Sequence, residues 1–166
     1  MASKGKNFYD RDLGYGKMMT EFKAAKGESA VFVGFLRSSG THKAKDKGKP
    51  ITMAQLGAVH EFGSSDGKIP ERSFMRSAVD ANHGKLESLI AKLSGQVMDG
   101  LMAKKKALGI LGETVKQLMK NKIVGGLQPP LKPATIQAKG SSKPLIDTGQ
   151  LVNSLEWEVR EGKDKE

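Results

Sequence analysis

The chain contains no cysteine, which excludes disulfide bonds and thiolate metal sites. Aromatic residues make up only 5% of its 166 residues, so we expect one domain with a modest hydrophobic core. No apolar run approaches the roughly 20 residues that a membrane-spanning helix needs. The stretch from Met1 to Asp12 is polar and lacks the apolar core of a signal peptide. The sequence therefore predicts a soluble protein with no membrane partner, folded in a reducing cytoplasm.

Basic residues outnumber acidic ones, with 28 Lys and Arg against 18 Asp and Glu and a net charge of +10. The excess is concentrated in two blocks. Residues 1–49 carry 11 basic and 5 acidic side chains, and residues 103–140 carry 8 and 1. The middle is almost neutral and the C-terminal end is acidic. Such a field attracts polyanions, either nucleic acid or the acidic surface of a protein, and does not choose between them.

Two segments near the ends of the chain have the patterns of β-strands. Ser29–Leu36 is short, apolar and rich in β-branched and aromatic residues, which predicts a strand inside a sheet because both of its faces are apolar. Near the C-terminus, Leu155, Trp157 and Val159 alternate with charged residues. This alternation predicts a half-exposed strand that can pair with the first one.

Helical patterns fill the middle of the chain. Thr52 can cap a helix that runs to about Phe62 and ends at Gly63. Pro70 opens the longest apolar pattern, which is interrupted at Asn82–Gly84. A further apolar stripe continues to the glycine pair Gly125–Gly126. The two long stripes form either one helix with a hinge near Gly95 to Gly100 or a pair of helices.

The proline-rich residues 127–144 are predicted to be irregular apart from a short helix at Pro133–Ala138. Asp147 can cap a final helical turn over Thr148–Asn153. Together these elements predict an α+β fold, in which a small sheet made by the N- and C-terminal strands packs against two or three helices, one of them long. We place this domain at residues 29–161, between an N-terminal arm at 1–28 and a charged tail at 162–166. A short helix is the alternative for residues 1–28.

Two familiar motifs, the zinc protease helix and the phosphate-binding loop, are only partly matched by this sequence. A zinc protease helix needs a second histidine four residues after His60, and that position is Ser64. The segment Gly63–Lys68 resembles a phosphate-binding loop but has one residue too few between its glycines, and Ile69 replaces the required Ser or Thr. We therefore interpret His60 and Glu61 as the end of a helix. No catalytic residue, cofactor or metal is predicted.

Lysines are concentrated in a polar loop at residues 37–50 and in a run of three at residues 104–106. They could contact phosphates or other subunits, or could simply face water. Any DNA contact would be non-specific and would weaken with salt, because the aromatic residues lie mostly in apolar runs rather than on a basic surface. The candidate contact residues are Lys43, Lys45, Lys47, Lys49, Lys104, Lys105 and Lys106.

Two motifs add a more specific signal. The first reads AVHEFG over residues 58–63 and, after a polar turn, IPERSFMR over residues 69–76. The second reads PLIDTGQLVNSL over residues 144–155. Together they resemble the neck and tail-completion proteins of tailed bacteriophages, a family often labelled virion morphogenesis or tail-component proteins. In that family a helix ending in HEFG leads through a loop to the next helix, and a PL.DTG.L..S turn introduces the C-terminal strand.

The motif residues also have physical roles of their own. Phe62 and Phe74 are predicted to plug the space between two helices, and Gly63 to allow a left-handed helix end. The proline fixes the entry to the next helix, on which two arginines lie one turn apart. In the second motif, the aspartate is predicted to cap a helical turn and the glycine to allow another part of the chain to approach closely. Leu151 and Leu155 are predicted to be buried. The motif residues are His60, Glu61, Phe62, Gly63, Pro70, Arg72, Phe74, Arg76, Asp147, Thr148, Gly149 and Leu151.

The resemblance implies a non-enzymatic structural virion protein at the head–tail junction, present in the host cytoplasm during assembly. It implies a homo-oligomeric ring that contacts neighbouring neck and tail proteins, such as a tail terminator, a head-closure or connector protein, or the tail tube or sheath. The arms at 1–28 and 127–144 and the loop at 37–50 would then order on neighbours. The alternative is a small, basic, non-specific DNA-binding protein associated with packaging.

Overall fold

The structure, a computed structural model, describes residues 29–42, 50–130, 137 and 149–161. Its strands are β1 (Ser29–Gly34), β2 (Thr41–His42), β3 (Ile51–Thr52) and β4 (Glu156–Glu161). Its α-helices are α1 (Met53–Phe62), α2 (Met75–Asp80), α3 (His83–Met98), α4 (Lys104–Gly125) and α5 (Gln150–Asn153). The predicted α+β fold is confirmed.

The first and last strands pair with each other, as the sequence predicts. β1 and β4 run antiparallel, with Ser29 opposite Glu161 and Gly34 opposite Glu156. The prediction that β1 lies inside a larger sheet is wrong for the described residues, where β4 is its only partner. The outer face of β1 is apolar for a different reason, because Phe32 lies under the guanidinium of Arg160 at 4.2 Å instead of under another layer.

Helix α4 lies across the inner face of this two-stranded sheet at very short range. A Cβ atom added at Gly112 would lie 2.7 Å from Cγ2 of Val31 and 3.0 Å from Cγ of Trp157. The indole Nε1 of Trp157 donates a hydrogen bond to the Glu113 carboxylate at 2.7 Å. Glycine at position 112 therefore sets the distance between helix and sheet.

Thr52 caps α1, as predicted. Its side chain accepts a hydrogen bond from the backbone N–H of Gln55 at 3.1 Å, and the Gln55 side chain accepts one from the backbone N–H of Thr52 at 2.9 Å. This reciprocal arrangement is a capping box. The predicted loop at 37–50 also contains regular structure, a 3₁₀ turn at Arg37–Ser39 and the short pairing of β2 with β3. Strands of two residues have no periodicity that a sequence could reveal.

The helical middle differs from the prediction at its start. α2 begins at Met75 and not at Pro70, because a carboxylate from another element supplies the cap, as described below. The predicted interruption near Asn82 is present, since α2 ends at Asp80 and α3 begins at His83. Of the two alternatives for the long stripes, the pair of helices is correct. Gly100, with a φ of 67°, lies in the turn between α3 and α4.

The side chains form two separate apolar clusters. The main core brings together residues from both motifs, from α1, α2 and α4, and from the chain just after α4: Met53, Phe74, Ala78, Met119, Ile123, Leu127, Leu151 and Leu155. The second cluster is smaller and belongs to the α3–α4 pair, where Leu93, Val97 and Ala107 pack together. The helical pair is thus attached to the domain but has a core of its own.

Several predictions lie outside the described residues. They concern the arm at 1–28, the lysines at 43, 45, 47 and 49, and the tail at 162–166. The cap predicted for Asp147 and the position of Thr148 also lie outside. Of the helix predicted at Pro133–Ala138, the structure describes Gln137 alone, and this residue is helical. Helix α5 begins at Gln150, with Gly149 in the N-cap position, two residues later than predicted. None of the helices in the described part of the chain is both long and apolar enough to cross a membrane.

Candidate functional site

Glu61 is the centre of the first motif, and its carboxylate is almost completely buried, at 2% exposure. Its two oxygens accept hydrogen bonds from three successive backbone N–H groups: Phe74 at 2.8 Å, Met75 at 2.9 Å and Arg76 at 3.1 Å. The Ser73 hydroxyl donates a further bond of 2.7 Å. Glu61 therefore caps the start of α2 from the end of α1, where the helix dipole also favours a negative charge.

Arg76 completes this arrangement, which we call the Glu61 clamp, comprising Glu61, Ser73, Phe74, Met75 and Arg76. Its Nε donates to Glu61 Oε1 at 3.1 Å. Its Nη2 reaches the exposed carboxylate of Glu71 at 2.6 Å. The buried charge of Glu61 is thus both hydrogen-bonded and paired, which a charge removed from water requires.

The clamp holds Glu61 in its ionised form. Burial by itself raises the pKa of the carboxyl group, but the hydrogen bonds from Met75, Ser73, Arg76 and Phe74 outweigh burial and leave the pKa below its ordinary value of 4.5. These donors bind the carboxylate better than they would bind the neutral acid. The clamp should therefore be complete at neutral pH and should weaken in acid.

A tight turn brings the two halves of the motif together. Gly63 has a φ of 81°, and a Cβ atom there would lie 3.1 Å from both the N of Glu71 and the O of Ile69. The turn closes through a hydrogen bond of 2.9 Å from the N–H of Ser64 to the carbonyl of Ile69. The positive φ explains the glycine, since other residues rarely adopt it, but the predicted left-handed helix end is wrong because ψ is 170°.

Arg72 does not lie on a helix one turn before Arg76, as predicted, because α2 begins after it. It is buried, and its guanidinium donates to the carbonyls of Pro129 at 2.8 Å and Pro130 at 3.3 Å. Burial lowers the pKa of this guanidinium. Arg72 therefore ties the motif to the segment that follows α4.

The two motif phenylalanines have opposite environments. Phe74 is fully buried as predicted and meets the ring of Phe35 edge-on at 6.1 Å. The prediction for Phe62 is wrong: its side chain is 64% exposed and lies under the guanidinium of Arg76, 4.8 Å from the ring centre. The reason is that Glu61, its neighbour in α1, occupies the inward position.

A shallow groove of about 480 Å³ lies beside the clamp. Phe62 with Arg76 forms one part of its wall, and Phe32 with Arg160 forms another. With Arg37, the groove contains three of the five arginines of the chain. Exposed arginine–aromatic pairs of this kind are typical of protein contact surfaces.

The second motif enters the same core as the first. Leu151 and Leu155 are buried, as predicted. The tight approach predicted at Gly149 is not found among the described residues, where a Cβ atom would lie 3.6 Å from Nδ2 of Asn153; its φ of 71° is what favours glycine. The hydroxyl of Ser154 donates to the carbonyl of Gln150 at 2.8 Å within the short helix α5. This turn positions the chain to enter β4.

Of the lysines predicted as contact residues, the structure describes Lys104, Lys105 and Lys106. Lys104, Lys105 and Lys106 form the first turn of α4, where Lys105 pairs with Glu161 at 3.3 Å. They are far along the chain from the clamp and do not contribute to its groove. Among the described residues, no cluster of three or more His, Asp or Glu side chains could hold a metal ion.

Comparison with known proteins gave no match to a family model, to a curated protein or to a solved structure. The site therefore has to be interpreted from its own geometry. The sequence identified the right segment but assigned Glu61 the minor role of a helix end. One signal in the sequence pointed to the clamp. Glu61 stands two residues before Gly63, where the chain turns back, and Ser73 and Arg76 follow as possible hydrogen-bond donors.

Proposed function

We propose that this chain is a structural virion protein of a tailed phage, a neck or tail-completion subunit at the head–tail junction, without enzymatic activity. It forms a homo-oligomeric ring and contacts the neighbouring neck and tail proteins. Its role is to make head and tail join. It acts by surface complementarity, in the host cytoplasm during assembly and afterwards within the particle.

The observation that carries this proposal is the meeting of the two motifs in one core. Phe74 of the first motif and Leu151 and Leu155 of the second belong to the same buried cluster, although about 80 residues of chain separate them. A chance match of two short patterns would not require them to touch. Their packing into one unit supports the resemblance on which the proposal rests.

The exposed groove supports contact with a protein partner. Phe62 and Phe32 present large apolar rings to solvent, each stacked with an arginine. Arginine and aromatic side chains contribute strongly to binding when a partner desolvates them. In this proposal the groove receives part of a neighbouring subunit.

Electron microscopy of particles made with and without this protein tests the proposal. Without it, we expect DNA-filled heads and tails of normal length that remain separate. The variant Phe62→Ala should reproduce this defect in part, because it removes an exposed contact without disturbing the core. Val124→Ala is the matched control, since Val124 is also an exposed apolar residue but lies away from the groove, and it should assemble normally.

Two results would contradict the proposal. Intact virions in the absence of the protein would exclude a joining role. If those virions lacked DNA, and if the purified protein bound duplex DNA with strong salt dependence, the packaging-associated alternative would replace it.

A further inference from the structure

The sheet formed by β1 and β4 has two open edges. Among the described residues, each of these strands pairs only with the other, so each has one edge with no strand beside it. No backbone hydrogen bond joins these edges to the rest of the described chain. The N–H and C=O groups along such an edge can hydrogen-bond to a strand of another molecule.

The groove beside the clamp follows the open edge of β1. Six successive residues line it, from Phe32 to Arg37. Neighbouring residues of a strand point to opposite faces, so a groove lined by consecutive residues runs along the edge of the strand and not over one face. Ala54, Ala58 and Phe62 of α1 contribute to the opposite wall, where the two small alanine side chains leave room. An extended segment that entered this groove would therefore lie beside β1.

The two edges differ in how they are protected against pairing. Charged side chains and proline discourage unwanted pairing at strand edges, and Ser29–Leu36 contains neither. β4, in contrast, carries three glutamates and one arginine among its six residues. Two β4 strands side by side would bring carboxylates together, which destabilises a strand pair. The edges therefore favour the pairing of β1 with β4 of another copy over that of two β4 strands.

Charge supports the same pairing. Arg37 is exposed at the end of the groove and forms no salt bridge with another described residue. The Glu156 carboxylate accepts a hydrogen bond from the hydroxyl of Ser38 at 2.5 Å, and no cation pairs with it in the described part of the chain. The other arginines of the groove and the other glutamates of β4 already have salt-bridge partners. Arg37 and Glu156 are thus the two opposite charges that remain for a contact between copies.

The strand register brings these two charges close to each other. Within the chain, Gly34 lies opposite Glu156. In the same antiparallel register on the open edge of β1, Glu156 of a second copy would lie beside Gly34, three residues before Arg37. Three residues span at most about 10 Å, a distance that the long arginine and glutamate side chains can bridge together.

We propose that β4 of a second copy adds to the open edge of β1, so that successive copies join β1 to β4. The two edges are different surfaces, so the contact is heterologous, and a heterologous contact repeated around an axis closes a ring. This inference rests on the homo-oligomeric ring of the proposed function and names the strands that form it.

The absence of cysteine makes a direct test possible in the full-length chain. Ala30→Cys in β1 and Arg160→Cys in β4 are made in separate chains, at positions that lie opposite each other in the register. A short bismaleimide can then join the two variants only between copies. We expect the mixture to give severalfold more cross-linked dimer than either variant alone.

The matched control mixes Ala30→Cys with Val124→Cys. Val124 is also exposed but lies about 28 Å along α4 from Lys105, which contacts Glu161 at the end of β4. A yield from the β1–β4 mixture well above this control supports the proposal. A yield equal to the control overturns it, and so does a link formed mainly by Ala30→Cys alone, which would indicate two β1 strands side by side.

The mass of the unaltered protein in solution, measured in parallel, separates this inference from the function on which it rests. An oligomer without the β1–β4 link would overturn the inference and leave the ring in place. A monomer without the link would count against both.

A charge exchange gives an independent readout by sedimentation velocity. Arg37→Glu and Glu156→Arg should each weaken association severalfold, because each places like charges together between copies. Mixing the two variants should restore association, since every contact in an alternating ring then joins opposite charges. Recovery on mixing also shows that both variants are folded. A mixture that associates no better than its components would overturn the proposal.

Discussion

The Glu61 clamp and the α3–α4 pair hold their parts together by opposite means. The clamp uses one buried carboxylate, whose bonds to three backbone N–H groups, a hydroxyl and a guanidinium fix the start of α2. The helical pair uses apolar contacts among Leu93, Val97 and Ala107 and leaves a groove beside them. The stability that the clamp contributes should therefore change with pH, whereas that of the pair should not.

The largest expected effect is that of Glu61→Ala. This change leaves several donors without an acceptor inside the protein, so we expect it to lower the free energy of unfolding by about 3–4 kcal/mol. Urea unfolding followed by circular dichroism measures the loss. The control is Glu71→Ala, which removes an exposed partner of Arg76 and should cost less than about 1 kcal/mol. Equal losses would show that burial of Glu61 does not matter.

Leu93→Ala tests the helical pair in the same way. Removing a buried leucine should cost about 2–3 kcal/mol, through lost burial and an incompletely closed cavity. The loss should be the same at pH 7 and at pH 4, because no titrating group is involved. A loss that changed strongly with pH would mean that the pair and the clamp are coupled. Ile90→Ala, at the exposed rim, is the control and should cost less.

Thr52→Ala should have the smallest effect. It removes the side chain that caps α1 and should cost about 1 kcal/mol. α1 has the clamp at its other end, so its loss should add to that of Glu61→Ala. The double variant measured in urea checks this additivity. A combined loss far from the sum would show that the two ends of α1 act as one unit.

Much of the architecture could be predicted from local patterns. The alternation of Leu155, Trp157 and Val159 predicted β4, and Thr52 and Gly63 predicted both ends of α1, because caps and periodicity depend on neighbours in the chain. The sequence did not predict where α2 begins. Pro70 has the chemistry of a helix start, but the cap comes from Glu61, which only the folded chain brings to Phe74.

The same limit applies to the candidate site. Phe62 and Phe74 look alike in the sequence, yet one is buried and the other carries a stacked arginine on the surface. Which of two aromatic side chains faces inward depends on which neighbour occupies the core position. Here a hydrogen-bonded carboxylate occupies it, and simple hydrophobic patterning would not assign it there.

The central physical claim is that the ionised carboxylate of Glu61 joins the two halves of the first motif. The direct test is the difference in unfolding free energy between the unaltered protein and Glu61→Gln, measured from pH 7 to pH 3. The pKa of Glu61 is lowered in the folded protein, so its contribution is complete above about pH 4.5 and is lost as the pH falls through the folded value. The account predicts a clear difference at pH 7 that shrinks below pH 4.5, where the protonated acid resembles the amide. A difference that stayed constant or grew in acid would contradict it.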